Sequence, residues 1–64
     1  MKQVDEMPTS GQFIVIWTHA EELFAETKLI DEDGDILTLD TEEDQFVDKG
    51  IIQYPESAKY FIAD

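Results

Sequence analysis

Five consecutive apolar residues, Phe13-Ile14-Val15-Ile16-Trp17, constrain the fold of this chain most. The stretch Gln12 to Thr18 is β-branched and aromatic, which suits an extended pleated backbone better than a helix. Successive side chains of a strand point to opposite faces. Phe13, Val15 and Trp17 therefore share one face, with Ile14 and Ile16 on the other, and both are apolar. A strand of that kind belongs in the middle of a sheet or barrel. Trp17, within this apolar strand, is expected in the core.

Punctuation along the chain supports an all-β reading. Turn signals recur near residues 20, 33, 42, 49 and 56, the spacing of short strands in a small β domain. Asp33-Gly34 lies between Lys28-Leu29-Ile30 and Ile36-Leu37-Thr38-Leu39, and Asp-Gly between apolar runs marks a hairpin. Residues 36–39 should thus pair antiparallel with 27–30. Thr41-Glu42-Glu43-Asp44 ends the third strand. Gln45-Phe46-Val47 reads as a short strand or loop, Lys49-Gly50 leads into Ile51-Ile52-Gln53-Tyr54, and Lys59-Tyr60-Phe61-Ile62 closes the domain as an edge strand.

Residues 19–30 admit two readings. As a helix, Thr18 would be the N-cap and Glu21 the partner of a capping box, with Ala20, Leu23, Phe24, Thr27 and Ile30 on one face. As a strand, His19-Ala20-Glu21-Glu22 would be a turn. Leu23, Ala25, Thr27 and Leu29 would face in, Glu22, Glu26 and Lys28 out, and Phe24 would be exposed at one end. Local propensity favours the helix; the turn rhythm favours the strand. The expected fold is a small antiparallel sheet or SH3-like barrel of about five strands. The alternative is α+β, with one helix at 19–29 on a three- or four-stranded sheet. Residues 1–11 read as a polar N-terminal arm and 12–64 as a single small acidic domain.

Charge narrows the function. Of 64 residues, sixteen are acidic and four are Lys, for a formal net charge of -12; the chain has no Arg, Asn or Cys. A hydrophobic fraction of 42% still argues for a folded domain. Lacking Cys, it has no disulfide staple, thiolate metal site or thiol nucleophile. So small a core leaves a thin margin of stability, which self-repulsion erodes; a partner, a homodimer or salt would complete it. Four scattered Lys cannot neutralise a nucleic-acid backbone or hold an anionic membrane. With no apolar leader at Met1–Glu6 and no run long enough to span a bilayer, the expected compartment is cytoplasmic. The small size suggests a bacterial or bacteriophage gene product, acting in the host cytoplasm if phage-encoded.

Chemistry is sparse. His19 is the single His and sits beside a turn; Ser10 precedes Gly11 and Ser57 follows Pro55 by two residues, so both read as turn residues. None makes a nucleophile–base pair by pattern, and a glycosidase-type carboxylate pair would need a sugar-sized cleft. The chain reads as non-catalytic, without cofactor. Asp31 to Asp40 has a partial likeness to a Ca²⁺-binding loop, with Gly34 at position six and Asp31 and Asp33 at three and five. Leu29 at position one and Asp40 at position twelve spoil it, so no metal site is assigned and weak divalent-cation binding stands third among the readings.

The strongest signal is a block of one sign. Between residues 31 and 48 lie Asp31, Glu32, Asp33, Asp35, Asp40, Glu42, Glu43, Asp44 and Asp48, with no base among them. Two acidic turns at opposite ends of a five-residue strand would stand roughly 17 Å apart, about five base pairs of duplex. That pattern predicts a protein that occupies the basic nucleic-acid-binding groove of a target enzyme, as a mimic of DNA. Phe24 and Tyr60 are candidate anchors within the charged rim, since aromatics dominate interface energetics. The alternative is a structural or assembly accessory whose acidic surface serves solubility.

Overall fold

The computed structural model describes residues 1–50 and 53–63. It is all-β, and no helix occurs among the described residues. Six strands form one antiparallel sheet: β1 (Lys2–Val4), β2 (Gly11–His19), β3 (Glu22–Ile30), β4 (Ile36–Asp40), β5 (Gln45–Val47) and β6 (Lys59–Ile62). Their spatial order is β1-β6-β2-β3-β4-β5. The sheet is open: it does not close into the barrel entertained above.

The doubly apolar strand β2 lies in the interior, between β6 and β3. Residues 19–29 do not form a helix. His19 pairs with Glu22 across a two-residue turn, and β3 runs alongside β2 as far as Gly11↔Ile30. Long-range pairing with a strongly β-forming strand overrides the local helix preference. Ala20 and Glu21 carry φ values of 50° and 67°, the sense required by the tight turn whose twist matches a hairpin. The β3–β4 hairpin follows the expected register, with Lys28↔Thr38, Leu29↔Leu37 and Ile30↔Ile36. Gly34, at φ 83°, supplies the left-handed residue of its turn.

Two expectations change. Lys59–Ile62 is not an edge strand, because Lys2–Val4 pairs along its outer side, with Val4 opposite Tyr60. The segment 1–11 thus carries the edge strand β1, and Met7 packs on the core. The facing of β3 is also the reverse of the expected one. Lys28 is fully buried, whereas Leu23 is 72% exposed. Register explains it: Phe13↔Lys28 and Val15↔Glu26 put both charged side chains on the core side of β3. Ile51-Ile52 lie outside the described residues; Gln53 and Tyr54 belong to no strand.

The core is small. Phe13, Val15 and Ile30 are its buried apolar residues, with Met7, Trp17, Tyr54, Ala58, Tyr60 and Ile62 packed around them. Trp17 is half-buried, held between Phe24 at 5.5 Å and Tyr54 at 4.9 Å between ring centroids.

Candidate functional site

The acidic stretch folds into two turns at opposite ends of β4. The first, residues 31–35, is built around Asp31. Its Oδ1 accepts the amides of Asp33 at 3.0 Å and Asp35 at 2.9 Å. Its backbone N–H donates to the Asp35 carbonyl at 3.0 Å, and Gly34 N–H donates to the Asp31 carbonyl at 3.1 Å. The second turn, residues 41–44, repeats the device. Asp40 Oδ1 accepts the amides of Glu42 at 3.0 Å and Glu43 at 3.3 Å. Asp48 likewise accepts the Gly50 amide at 2.8 Å. Such side-chain-to-backbone bonds are what make Asp a turn former.

The nine acids therefore divide by role. Asp31, Asp40 and Asp48 fasten their own turns. The side chains of Glu32, Asp33, Asp35, Glu42, Glu43 and Asp44 make no such bond among the described residues, and all six residues are exposed. One oxygen from each of Asp31, Asp33 and Asp35 lies within 4.8 Å of the others. Three carboxylates fall short of the six to eight oxygens that Ca²⁺ takes, and β-strands flank the loop. Ser10 and His19 lie beyond and at opposite ends of β2.

The two candidate aromatic anchors lie apart from these turns. Tyr60 packs on the core, its ring edge-on to Phe13 at 6.1 Å. Phe24 is 37% exposed and stacks on Trp17 near the β2–β3 turn. Register opposes Trp17↔Phe24 and Val15↔Tyr60, so both share the core face of the sheet.

Two features were missed by sequence reasoning. The first is a buried polar cluster. Lys28 Nζ donates to Thr38 Oγ1 at 2.6 Å, lies 3.3 Å from Glu26 Oε1, and sits 5.4 Å from the centre of the Tyr54 ring. The Tyr54 hydroxyl donates to the same Glu26 oxygen at 3.3 Å. Burial first, then the Glu26 charge and hydrogen bond and a smaller effect of Tyr60, raise the Tyr54 phenol well above its ordinary pKa. The second is how far the apolar face opposite the core, legible in the sequence for Ile14 and Ile16, continues across the sheet. Phe61 opposes Ile14, Ile14 opposes Thr27, Leu29 opposes Leu37, and Leu39 opposes Phe46. All seven are half-buried and none is fully buried. Met7, Tyr54 and Ala58 pack on the Phe13 side instead.

Where β3–β4 pairing ends at Lys28↔Thr38, an open concavity of about 640 Å³ lies between residues 25–27 and 39–42, with Ile14 and Lys49 also lining it.

Comparisons with protein-family models, curated proteins and solved structures find no match to this chain.

Proposed function

We propose that this is a non-catalytic acidic binding protein that docks on the basic nucleic-acid-binding groove of a target enzyme and keeps nucleic acid out. The observation that carries the reading is the pair of turns at the two ends of β4, which present six exposed acids with no base in the stretch. Self-repulsion makes that arrangement unfavourable for the isolated domain, and a cationic partner would relieve it. Complementary potential speeds encounter and excludes wrong partners. Duplex and protein would then compete for the same Lys and Arg side chains.

A second reading, an accessory whose charge serves solubility, draws on Asp31, Asp40 and Asp48, whose carboxylates have local work in their turns.

Capture from a bacterial lysate at low salt, elution at high salt, and competition of the eluted partner with duplex DNA test the proposal. Mutually exclusive binding supports it. A ternary complex with nucleic acid at saturation rejects groove occupancy and leaves the solubility reading.

A further inference from the structure

The geometry points to the apolar sheet face and its concavity as the contact surface for a cationic amphipathic protein segment, one with aliphatic or aromatic side chains flanked by Lys or Arg. This rests on the acidic-docking reading and deepens it, by naming what lies between the charges.

The floor of the concavity includes Ile14, Ala25, Thr27 and Leu39, which register and alternation place on one face. Its margin carries the exposed acid Glu42, followed in the same turn by exposed Glu43 and Asp44, against one base, Lys49. Half-buried Phe61, Leu29, Leu37 and Phe46 extend the apolar surface on both sides. A contiguous patch of this kind, rimmed by polar groups, marks an interaction surface.

Charge selects the occupant. A second copy would bring another chain of charge -12 against the same acidic margin, and like charges across an interface are strongly disfavoured. An anionic membrane or nucleic acid is repelled for the same reason. A segment whose apolar residues fill the concavity while its cations meet the exposed turn acids Glu42, Glu43 and Asp44 satisfies both halves of the surface. Apolar anchoring would supply residence time, and the exposed turns the rate of encounter.

The test titrates the isotopically labelled full chain with three synthetic twelve-residue peptides: alternating Leu-Lys, alternating Ser-Lys and alternating Leu-Glu. In 0.5 M NaCl, where exposed charges are screened, the Leu-Lys peptide should bind at least tenfold more tightly than the Ser-Lys peptide. Its shifts should centre on the amides of Ile14, Ala25, Thr27 and Leu39. Ala25→Gln, at an exposed position, should weaken it at least fivefold, and Ser57→Gln should not. Equal Leu-Lys and Ser-Lys affinities, both fading with salt, would overturn the apolar surface while sparing the acidic-docking reading. Equal Leu-Lys and Leu-Glu affinities would overturn both. Absence of Leu-Lys binding, or sedimentation showing a dimer that Ala25→Gln dissociates, would overturn the inference as well.

Discussion

Lys28 and Thr38 stand directly opposite each other in the β3–β4 register, and the Lys28 ammonium donates to the Thr38 hydroxyl at 2.6 Å with both residues buried. Burying an ammonium is unfavourable unless its donors find partners. Thr38, Glu26 and the Tyr54 ring supply them. Truncating the acceptor alone should therefore hurt more than replacing both partners with apolar side chains. Thr38→Val leaves the charge short of a partner and should destabilise the fold by about 1–3 kcal/mol. Lys28→Met with Thr38→Val removes the buried charge together with the hydroxyl it bonds, and Glu26 retains 27% exposure to water. This double variant should fall within about 1 kcal/mol of the parent, or above it. Urea unfolding of both variants checks the order; the reverse order would mean that the pair stabilises the fold rather than being tolerated by it.

Tyr54 predicts an alkaline limb. Its phenol is raised above the ordinary value near 10 by burial and by Glu26. The folded state thus holds its proton more tightly than the unfolded state does. That contribution is fully present below about pH 10 and is lost as pH rises beyond it. The urea midpoint should fall as pH rises from about 9.5 to about 11, across the ordinary Tyr value near 10, and Tyr54→Phe should make that fall shallower. Parallel profiles for the two proteins would remove Tyr54 from the cause.

The β2–β3 turn stores strain that substitution can relieve. Ala20 and Glu21 both hold positive φ, a region costing an ordinary residue roughly 1 kcal/mol or more. Asn-Gly is the favoured pair for such a turn. Ala20→Asn with Glu21→Gly should raise stability by about 1–2 kcal/mol. Glu21→Gln alone separates the loss of a charge from the relief of backbone strain. No gain in the double variant over Glu21→Gln would refute the strain argument.

Much of the fold was legible because it rests on local chemistry. The Asp33-Gly34 turn and the β-branched run at 13–17 each specify their geometry within a few residues. The facing of β3 was not legible. Alternation by polarity puts charge outward, yet the side that Glu26 and Lys28 occupy follows from pairing with Phe13 and Val15 and from Tyr54 approaching from far along the chain. The same non-local dependence hid β1, since Lys2–Val4 becomes a strand only by pairing with β6. The division of the nine acids into fasteners and free charges was partly readable. Asp at the first position of each turn is a capping signal, one that the summed charge of the stretch masks.

That division sharpens the test of the acidic turns. Reversing Asp31 or Asp40 would remove the acceptor of two backbone amides along with the charge, so loss of binding there could reflect a broken turn. Asp31→Ala should destabilise by about 1 kcal/mol, and Asp31→Asn, which keeps an acceptor, by less. The free acids are the cleaner probes. Glu42→Lys with Glu43→Lys, and Asp33→Lys with Asp35→Lys, change exposed side chains that make no turn-fastening bond. Both double variants should melt no lower than the parent, because each moves the net charge of -12 toward zero by four. Against a partner captured as above, each should slow association on the order of tenfold at low salt. Dissociation should change much less, and the difference should shrink as salt rises. Stopped-flow association at two ionic strengths reads these quantities directly. Unchanged association in both variants, with melting intact, would assign the acids to solubility and leave any binding to the apolar face alone.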